Sequence, residues 1–295
     1  MRHFLPRALS ALALLVAPLS AQAQAVQDAD PALWVVKDAD TTIYLFGTIH
    51  VLKPGLSWFD EAVKTAFDKS DELVLEMVEP DPATMQGIVL KTALSPAGPP
   101  LSEKLPADKR DAFAKAVADV GIPLDKVERL EPWYAAIVLT VAGLPKLGYD
   151  PQSGAERVLS AAATSAGKKI SGLETAEQQL GYFDALPEPL QVKFLASTVD
   201  DFPKMGETLD KMVASWAGGD PDTLAAAMNA DMRDTPEIGK VLLADRNARW
   251  ADWIAQRLDK PGTVFVAVGA GHLAGPDSVQ AQLAKRKLKS SRIQY

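Results

Sequence analysis

Two segments of the chain share one pattern, a run of strand-forming residues that ends in Gly-x-x-His. Residues 42–46 lead into Gly47 and His50, and residues 263–268 lead into Gly269 and His272. In parallel α/β sheets, residues just beyond the carboxyl ends of the strands meet at one edge. The repeated pattern therefore predicts that the two histidines, 222 positions apart in the sequence, belong to one site.

The rest of the pattern predicts an α/β fold with a central, mostly parallel sheet. Residues 34–37 and 42–46 flank a polar turn at residues 38–40, which indicates an N-terminal hairpin. A helix capped by Ser57 and a strand at residues 72–77 follow, and this order is typical of parallel βαβ units. Residues from about 82 to 260 are predicted to form a large, mostly helical insertion that includes a short strand ending at Glu174 and a helix over residues 237–258.

The N-terminus predicts export. Residues 1–25 combine a basic start, an apolar run and a small-residue cleavage region after Ala23 or Ala25, as in a secretory signal peptide. We therefore expect a periplasmic or secreted protein with a single domain over residues 26–295 and no integral membrane segment in the mature chain. Without Arg2 and Arg7 the formal charge moves from −7 to −9, which disfavours nucleic acid as a partner.

Four side chains suited to acid–base or metal chemistry follow strands: His50, Glu76, Glu174 and His272. Each also has a structural interpretation, as a hydrogen-bonded histidine, a solvated carboxylate or a helix-start acid. Gly47, Gly269 and Gly271 are expected to permit backbone conformations closed to other residues and to let a ligand approach the main chain. Arg246 fits either a surface position or an ion pair with a buried glutamate.

Several other catalytic classes are excluded. The chain has no cysteine, and it lacks the Gly-x-Ser-x-Gly and His-Glu-x-x-His motifs of serine hydrolases and zincins. A dinucleotide-binding Gly-x-Gly-x-x-Gly motif after a strand is also missing.

As a set, these motifs resemble the TraB/GumN family, part of the superfamily that includes the TIKI metalloproteases and, more remotely, erythromycin esterases and ChaN-like haem-binding proteins. The resemblance runs from about residue 33 to the C-terminus. It is carried by residues 44–52, residues 73–76, residues 172–178, residues 245–247 and residues 268–275.

The resemblance implies an α/β fold that brings both Gly-x-x-His turns together, and a hydrolase that cleaves peptides with a divalent metal such as manganese or cobalt. Carried over by position, His50, Glu76 and His272 would bind the metal. Glu76 or Glu174 would serve as ligand or general base, and Arg246 would stabilise negative charge or orient a glutamate. The substrate would be a peptide or small molecule; the oligomeric state stays open.

Two alternatives remain at this point. One is a metal-free hydrolase like the erythromycin esterases, with His50 as the general base that activates water. The other is a non-enzymatic periplasmic protein that binds a ligand such as haem, with His50 or His272 as the axial ligand.

Overall fold

The computed structural model describes residues 26–95, 97–228 and 235–295, so the predicted signal peptide lies outside the described residues. Within these ranges, none of the helices has both the length and the apolar character needed to cross a membrane. The strands are β1 (Gln27–Asp28), β2 (Leu33–Lys37), β3 (Thr41–Thr48), β4 (Leu56–Ser57), β5 (Glu72–Met77), β6 (Lys169–Glu174), β7 (Gly262–Gly269) and β8 (Ser290–Ile293).

Helices fill most of the chain between β5 and β7. The α-helices are α1 (Glu61–Lys69), α2 (Pro82–Thr92), α3 (Leu101–Lys104), α4 (Arg110–Asp119), α5 (Leu124–Val127), α6 (Pro132–Gly143), α7 (Ala155–Ser165), α8 (Ala176–Asp184), α9 (Glu188–Asp201), α10 (Met205–Ala217), α11 (Pro221–Met228), α12 (Pro236–Gly239), α13 (Asp245–Leu258) and α14 (Val279–Lys285). Short 3-10 helices span Ala107–Lys109, Leu144–Leu147, Pro151–Ser153, Phe202–Lys204 and Ala270–Leu273.

The central sheet has six strands in the order β6-β5-β7-β3-β2-β8. Strands β6, β5, β7 and β3 are parallel, whereas β2 pairs antiparallel with β3 and β8. This arrangement confirms the predicted α/β class and the N-terminal hairpin. Strand β3 runs in register with β7 from Thr41 opposite Gly262 to Thr48 opposite Gly269, so both Gly-x-x-His turns leave the sheet at the same level.

The central strands are buried on both faces, which explains their nearly continuous apolar runs. On one face, Phe46 and Phe265 pack against Trp216 and helices α1 and α7. On the other face, Val264 belongs to a cluster with Trp250 and residues of α13 and α14. The helical insertion adds a separate core between α4, α6 and α9.

Two local predictions are wrong. Helix α1 begins at Glu61 with Asp60 at its N-cap, while Ser57 lies in β4 and donates its hydroxyl to the Asp60 carboxylate. The helix expected over residues 237–258 is divided into α12, a π-helix over Lys240–Ala244, and α13. Hydrophobic periodicity does not distinguish this wider turn from an α-helix, and π-helical turns often accompany functional sites.

Gly47 brings the two Gly-x-x-His turns into contact. A Cβ atom on Gly47 would lie 3.0 Å from Cα and 3.1 Å from Cβ of Ala270, which follows β7 directly. The Gly47 carbonyl also accepts a hydrogen bond of 2.7 Å from Nε1 of the buried Trp216. Gly47 is therefore required for close packing between the ends of β3 and β7.

We expect Gly47→Ala to lower the free energy of unfolding by about 1–3 kcal/mol, because the added methyl group overpacks this contact. Gly87→Ala is the matched control: Gly87 lies in α2 with open space around the Cβ position. That substitution should raise stability by about 0.5–1 kcal/mol through helix propensity. Urea unfolding of both variants tests the pair, and equal effects would contradict the packing role of Gly47.

Candidate functional site

Four sequence-predicted side chains lie along one edge of the sheet. Glu174 ends β6, Glu76 is the penultimate residue of β5, and His272 and His50 follow the neighbouring strands β7 and β3. Neighbouring strands are about 4.8 Å apart, so these positions form a row about three strand spacings long. Arg246, near the start of α13, lies over this row and contacts three of the four side chains.

Arg246 binds both glutamates. Its Nη2 atom donates to Glu76 Oε2 at 2.6 Å and to Glu174 Oε2 at 2.7 Å, and its Nε donates to Glu174 at 3.0 Å. Its Nη1 atom donates to the Leu242 carbonyl and to Nε2 of His272. Because a guanidinium has five N–H groups, these contacts engage all of them. The Arg246 side chain is only 10% exposed, so its geometry favours holding the glutamates over binding a substrate oxyanion.

Glu174 is the most fully bonded of the carboxylates. Besides Arg246, it accepts hydrogen bonds from Nε1 of Trp250, the hydroxyl of Tyr182 and Nε2 of Gln179, at 3.1–3.2 Å. Its side chain is 3% exposed. A carboxylate with every acceptor position occupied makes a poor general base, so these contacts favour an anchoring role for Glu174.

The contacts of His272 fix its tautomer. Arg246 Nη1 can only donate, so Nε2 of His272 accepts and carries no proton. The proton then sits on Nδ1, which donates to Oδ1 of Asn247 at 2.6 Å, while Nδ2 of Asn247 donates to the Asp277 carbonyl. Burial lowers the pKa of His272 to about 4. His272 is therefore neutral at pH 7.

Glu76 is held by hydrogen bonds to both of its carboxylate oxygens, and Oε1 is the oxygen that lies against Gly269. Its Oε2 accepts from Arg246 and Gln179, whereas Oε1 accepts from the Gly269 amide at 2.6 Å. Burial acts to raise the pKa of Glu76, but His272, Arg246 and His50 together with the Gly269 amide lower it to about 2. The carboxylate is thus ionised throughout the neutral range.

The three candidate groups converge above Gly269. A Cβ atom placed on Gly269 would lie 3.0 Å from Glu76 Oε1, 3.7 Å from His272 Cδ2 and 3.9 Å from His50 Nε2. Any larger residue at this position would fill the space that these side chains face. The glycine is required for this space, and not for its backbone conformation, because its φ angle of −49° is open to other residues.

The expectation that the motif glycines adopt conformations closed to other residues is therefore wrong. None of Gly47, Gly269 and Gly271 has a positive φ angle. A Cβ on Gly271 would meet Cε of Met228 at 3.0 Å, so Gly271, like Gly47, is needed for packing. Of the three predicted ligand-binding glycines, Gly269 is the one beside the polar side chains.

His50 has a partner that the sequence did not indicate. Its Nδ1 lies 2.6 Å from Oε1 of Glu156, which also accepts from the Thr48 hydroxyl at 2.5 Å. The charge of Glu156 raises the pKa of His50 to about 9, although solvent screens part of this attraction because the imidazole is 72% exposed. His50 therefore carries a proton at pH 7.

The start of α7 holds this pair in place. The Ala155 amide donates to the Ile49 carbonyl at 3.0 Å, and Gly154 packs so closely on the His50 carbonyl that a Cβ atom would overlap it. The sequence signal for Glu156 was only its place in the first turn of a helix. Its contact with His50 spans 106 positions and has no local signature.

The predicted metal ligands do not form a metal site as they are arranged. Among residues 26–95, 97–228 and 235–295, no group of three or more ligand side chains is positioned to hold an ion. A metal bound by His272 would need the lone pair of Nε2, but this atom accepts a hydrogen bond from Arg246. The metal requirement therefore stays a prediction, and His50 Nε2 and Glu76 Oε1 are the donors that face the volume above Gly269.

A cavity of about 630 Å³ lies behind the site, between α11, the π-helix and the turn after β7. Its lining includes Asn247 and Gly271, together with small apolar residues such as Ala225 and Ala274. The side-chain amide of Asn247, which lines this cavity, also accepts the hydrogen bond from His272, so the cavity adjoins the row of polar side chains.

The fold and the site define a class: an α/β protein with a polar site built at the ends of parallel strands from two Gly-x-x-His turns. The chain belongs to the TraB/PrgY/gumN family, whose sequence profile matches residues 32–292. This membership confirms the resemblance seen in the sequence.

The relatives found by sequence comparison carry no functional description. An uncharacterized protein of Treponema pallidum (strain Nichols) is 24% identical over 281 residues, covering 86% of this chain and 80% of the relative. The uncharacterized protein YbaP of Escherichia coli (strain K12) is 25% identical over 257 residues, covering 86% of this chain and 92% of the relative. No solved structure matches this chain significantly.

We expect the two histidines to titrate far apart. His50 should lose its proton well above pH 6.5, towards pH 9, and His272 should gain one only near pH 4. Imidazole NMR titration, assigned with His50→Gln and His272→Gln, measures both values. Similar pKa values near 6.5 for both rings would overturn the described geometry.

The same shifts set the pH dependence of stability. The unfolded chain protonates His272 near pH 6.5 but the folded chain only near pH 4, so this group costs stability as the pH falls through that window. The raised pKa of His50 has the opposite sign: its contribution is complete below pH 6.5 and is lost as the pH rises towards 9.

Arg246→Met should lower the free energy of unfolding by about 3–5 kcal/mol, because it leaves two buried carboxylates without their cation. Arg257→Met is the control on the same helix, since the Arg257 guanidinium donates to the Lys260 carbonyl near the surface. We expect that change to stay within about 0.5 kcal/mol. Equal losses in the two variants, measured by urea unfolding, would show that Arg246 is not the essential counter-charge.

Proposed function

We propose that this protein is a hydrolase that cleaves a carboxylic acyl bond, as in a peptide or ester, at the volume above Gly269. The observation that carries the proposal is the approach of His50 Nε2 and Glu76 Oε1 to one point above the Gly269 backbone. Groups of unlike pKa that face one volume are the usual arrangement for acid and base catalysis. Membership of the TraB/PrgY/gumN family is consistent with this proposal but names no reaction for the chain.

The protonation states assign the two roles. Glu76 is ionised and offers Oε1 as the base that takes a proton from the attacking water. His50 is protonated, and with Nδ1 bound to Glu156 it offers Nε2–H as the acid that protonates the leaving group. The acyl carbon gains the water oxygen and loses the leaving group. Glu76 takes one proton from the water and His50 gives one to the leaving group, so the net charge of the pair is unchanged. Transfer of a proton from Glu76 back to His50 through solvent then restores the starting state.

The remaining polar residues of the site position Glu76 and His50. Arg246 and Gln179 hold Oε2 of Glu76, which leaves Oε1 directed towards the Gly269 amide. Glu156 and Thr48 fix the ring of His50. We infer that Glu174, through its contacts with Arg246, supports the arrangement without touching the substrate.

The export of the protein is also part of the proposal, whereas a need for a metal belongs to a second candidate mechanism. A periplasmic or secreted location follows from the signal-peptide pattern of residues 1–25. Metal-dependent hydrolysis is the second candidate, favoured by the approach of two ligand-type atoms, His50 Nε2 and Glu76 Oε1, to the same point above Gly269. Binding of an ion by His50, Glu76 and His272 would require His272 to leave Arg246.

Purified protein should hydrolyse members of a set of chromogenic esters and mixed peptides, with products identified by mass spectrometry. His50→Gln and Glu76→Gln should each reduce kcat/KM by about 10²–10⁴-fold, the usual contribution of a catalytic acid or base. Glu79→Gln is the control, because Glu79 forms an exposed ion pair with Arg157. Its activity should equal that of the wild type.

The pH profile and chelation complete the test. Activity should fall on the alkaline side as His50 loses its proton, and Glu156→Gln should move that limb towards lower pH. Activity that survives exhaustive chelation supports the acid–base version, whereas activity restored only by manganese supports the metal version. An absence of turnover on every ester and peptide, with and without added metal, would remove the hydrolase proposal.

A further inference from the structure

A second, smaller cavity opens beside Glu174 at the outer end of the row. It has a volume of about 250 Å³ and lies between the end of β6, helix α8 and helix α13. Its walls include Tyr182, Arg249, Trp250 and Trp253 as well as Glu174. We call it the Arg249 pocket. Its size suits one residue of a chain better than a whole drug-sized ligand.

Arg249 differs from Arg246 in having free donors. Its Nη2 donates to the Tyr182 hydroxyl at 2.9 Å, and its guanidinium lies 5.1 Å from the centre of the Tyr182 ring. Within the part of the chain that the structure describes, its Nε and Nη1 have no hydrogen-bond partner. The side chain is 51% exposed, so these donors are accessible.

The two acidic residues that line the pocket, Glu174 and Asp252, already form ion pairs with other arginines. Glu174 lies 3.9 Å from Arg249 but takes its hydrogen bonds from Arg246, Tyr182, Gln179 and Trp250. Asp252 pairs with Arg286 at 2.6 Å. The Nη2 atom of Arg249 carries two N–H groups and uses one of them for Tyr182. Its other N–H, together with an N–H of Nη1 or Nε on the same edge of the guanidinium, forms the planar pair of donors that matches a carboxylate.

The pocket lies at a defined distance from the reacting volume. Glu174 ends β6 and Gly269 ends β7, and β5 is the single strand between them. Two strand spacings are about 10 Å, which an extended peptide covers with about three residues at roughly 3.3 Å each. A peptide lying across the strand ends would thus reach both places.

We propose that the Arg249 pocket binds a carboxylate of the substrate, about three residues from the bond that is cleaved. This inference rests on the proposed hydrolase function and adds the class of substrate, a peptide with a negative charge at that position. The aromatic walls formed by Tyr182, Trp250 and Trp253 add an apolar contact and favour a large side chain next to the carboxylate. The carboxylate comes either from a peptide C-terminus or from an acidic side chain.

Binding of small probes tests the pocket without requiring catalysis. N-acetylphenylalanine should bind at least tenfold more tightly than its amide, measured by calorimetry and by the fluorescence of the two pocket tryptophans. N-acetylglutamic acid α-amide supplies a carboxylate from the side chain only. Tight binding of the first probe identifies a C-terminal carboxylate, and tight binding of the glutamate probe alone identifies an acidic side chain; both results support the pocket.

The variants give the decisive comparison. Arg249→Gln should weaken binding of the preferred acid at least tenfold and leave binding of the amide unchanged. Arg249→Lys should retain part of the affinity for the acid, because the positive charge remains. Arg257→Gln, also on α13 but outside the pocket, should bind like the wild type. Equal affinity for acid and amide, or unchanged binding by Arg249→Gln, would overturn the proposal.

Failure here is separable from failure of the hydrolase proposal. Selective binding of the acid with no turnover on any substrate would leave the pocket intact and remove the hydrolase. Turnover that depends on His50 but shows no preference for a substrate carboxylate would support the hydrolase and remove the proposed role of the Arg249 pocket.

Discussion

The buried guanidinium of Arg246 is the interaction on which the site depends. Glu76 is the penultimate residue of β5 and Glu174 is the last residue of the neighbouring parallel strand β6, so two like charges lie close together at the sheet edge. Two buried carboxylates at this spacing repel each other and lose hydration, so they need a cation that satisfies both. Arg246 meets that need, and its remaining N–H groups also set the tautomer of His272. One side chain thus supplies the counter-charge for both carboxylates and fixes the tautomer of His272.

The two histidines show how position changes the chemistry of one residue type. His272 is buried against Trp250 and accepts from a cation, which keeps it neutral. His50 stands at the opening of the site and contacts a carboxylate, which keeps it charged. The shared Gly-x-x-His pattern brings both rings to the same sheet edge, but their partners, supplied by α7 and α13, make them chemically different.

The fold and the grouping of the candidate site residues at one sheet edge were largely predictable, because strands, helices and strand-end residues leave local patterns. The register of β3 with β7 follows from the same repeated motif. The Glu156 contact was not predictable, since it joins residues on elements far apart in the chain. The π-helix before α13 was missed because its residues keep an ordinary helical composition, and the steric role of Gly47 appears only when Ala270 is placed beside it. Sequence patterns specify elements, whereas pairings between elements require the assembled structure.

The contact of Gly47 with Ala270 also has a consequence for the order of folding. Strands β3 and β7 pair across more than 200 positions, and such distant contacts form slowly because a long loop must close first. During synthesis, Glu76 and Glu174 leave the ribosome well before Arg246 and His272. Until the last part of the chain arrives, the two carboxylates must stay hydrated, so the nascent sheet edge cannot close early. Burial of the polar edge therefore requires the later part of the chain, which carries the counter-charge Arg246.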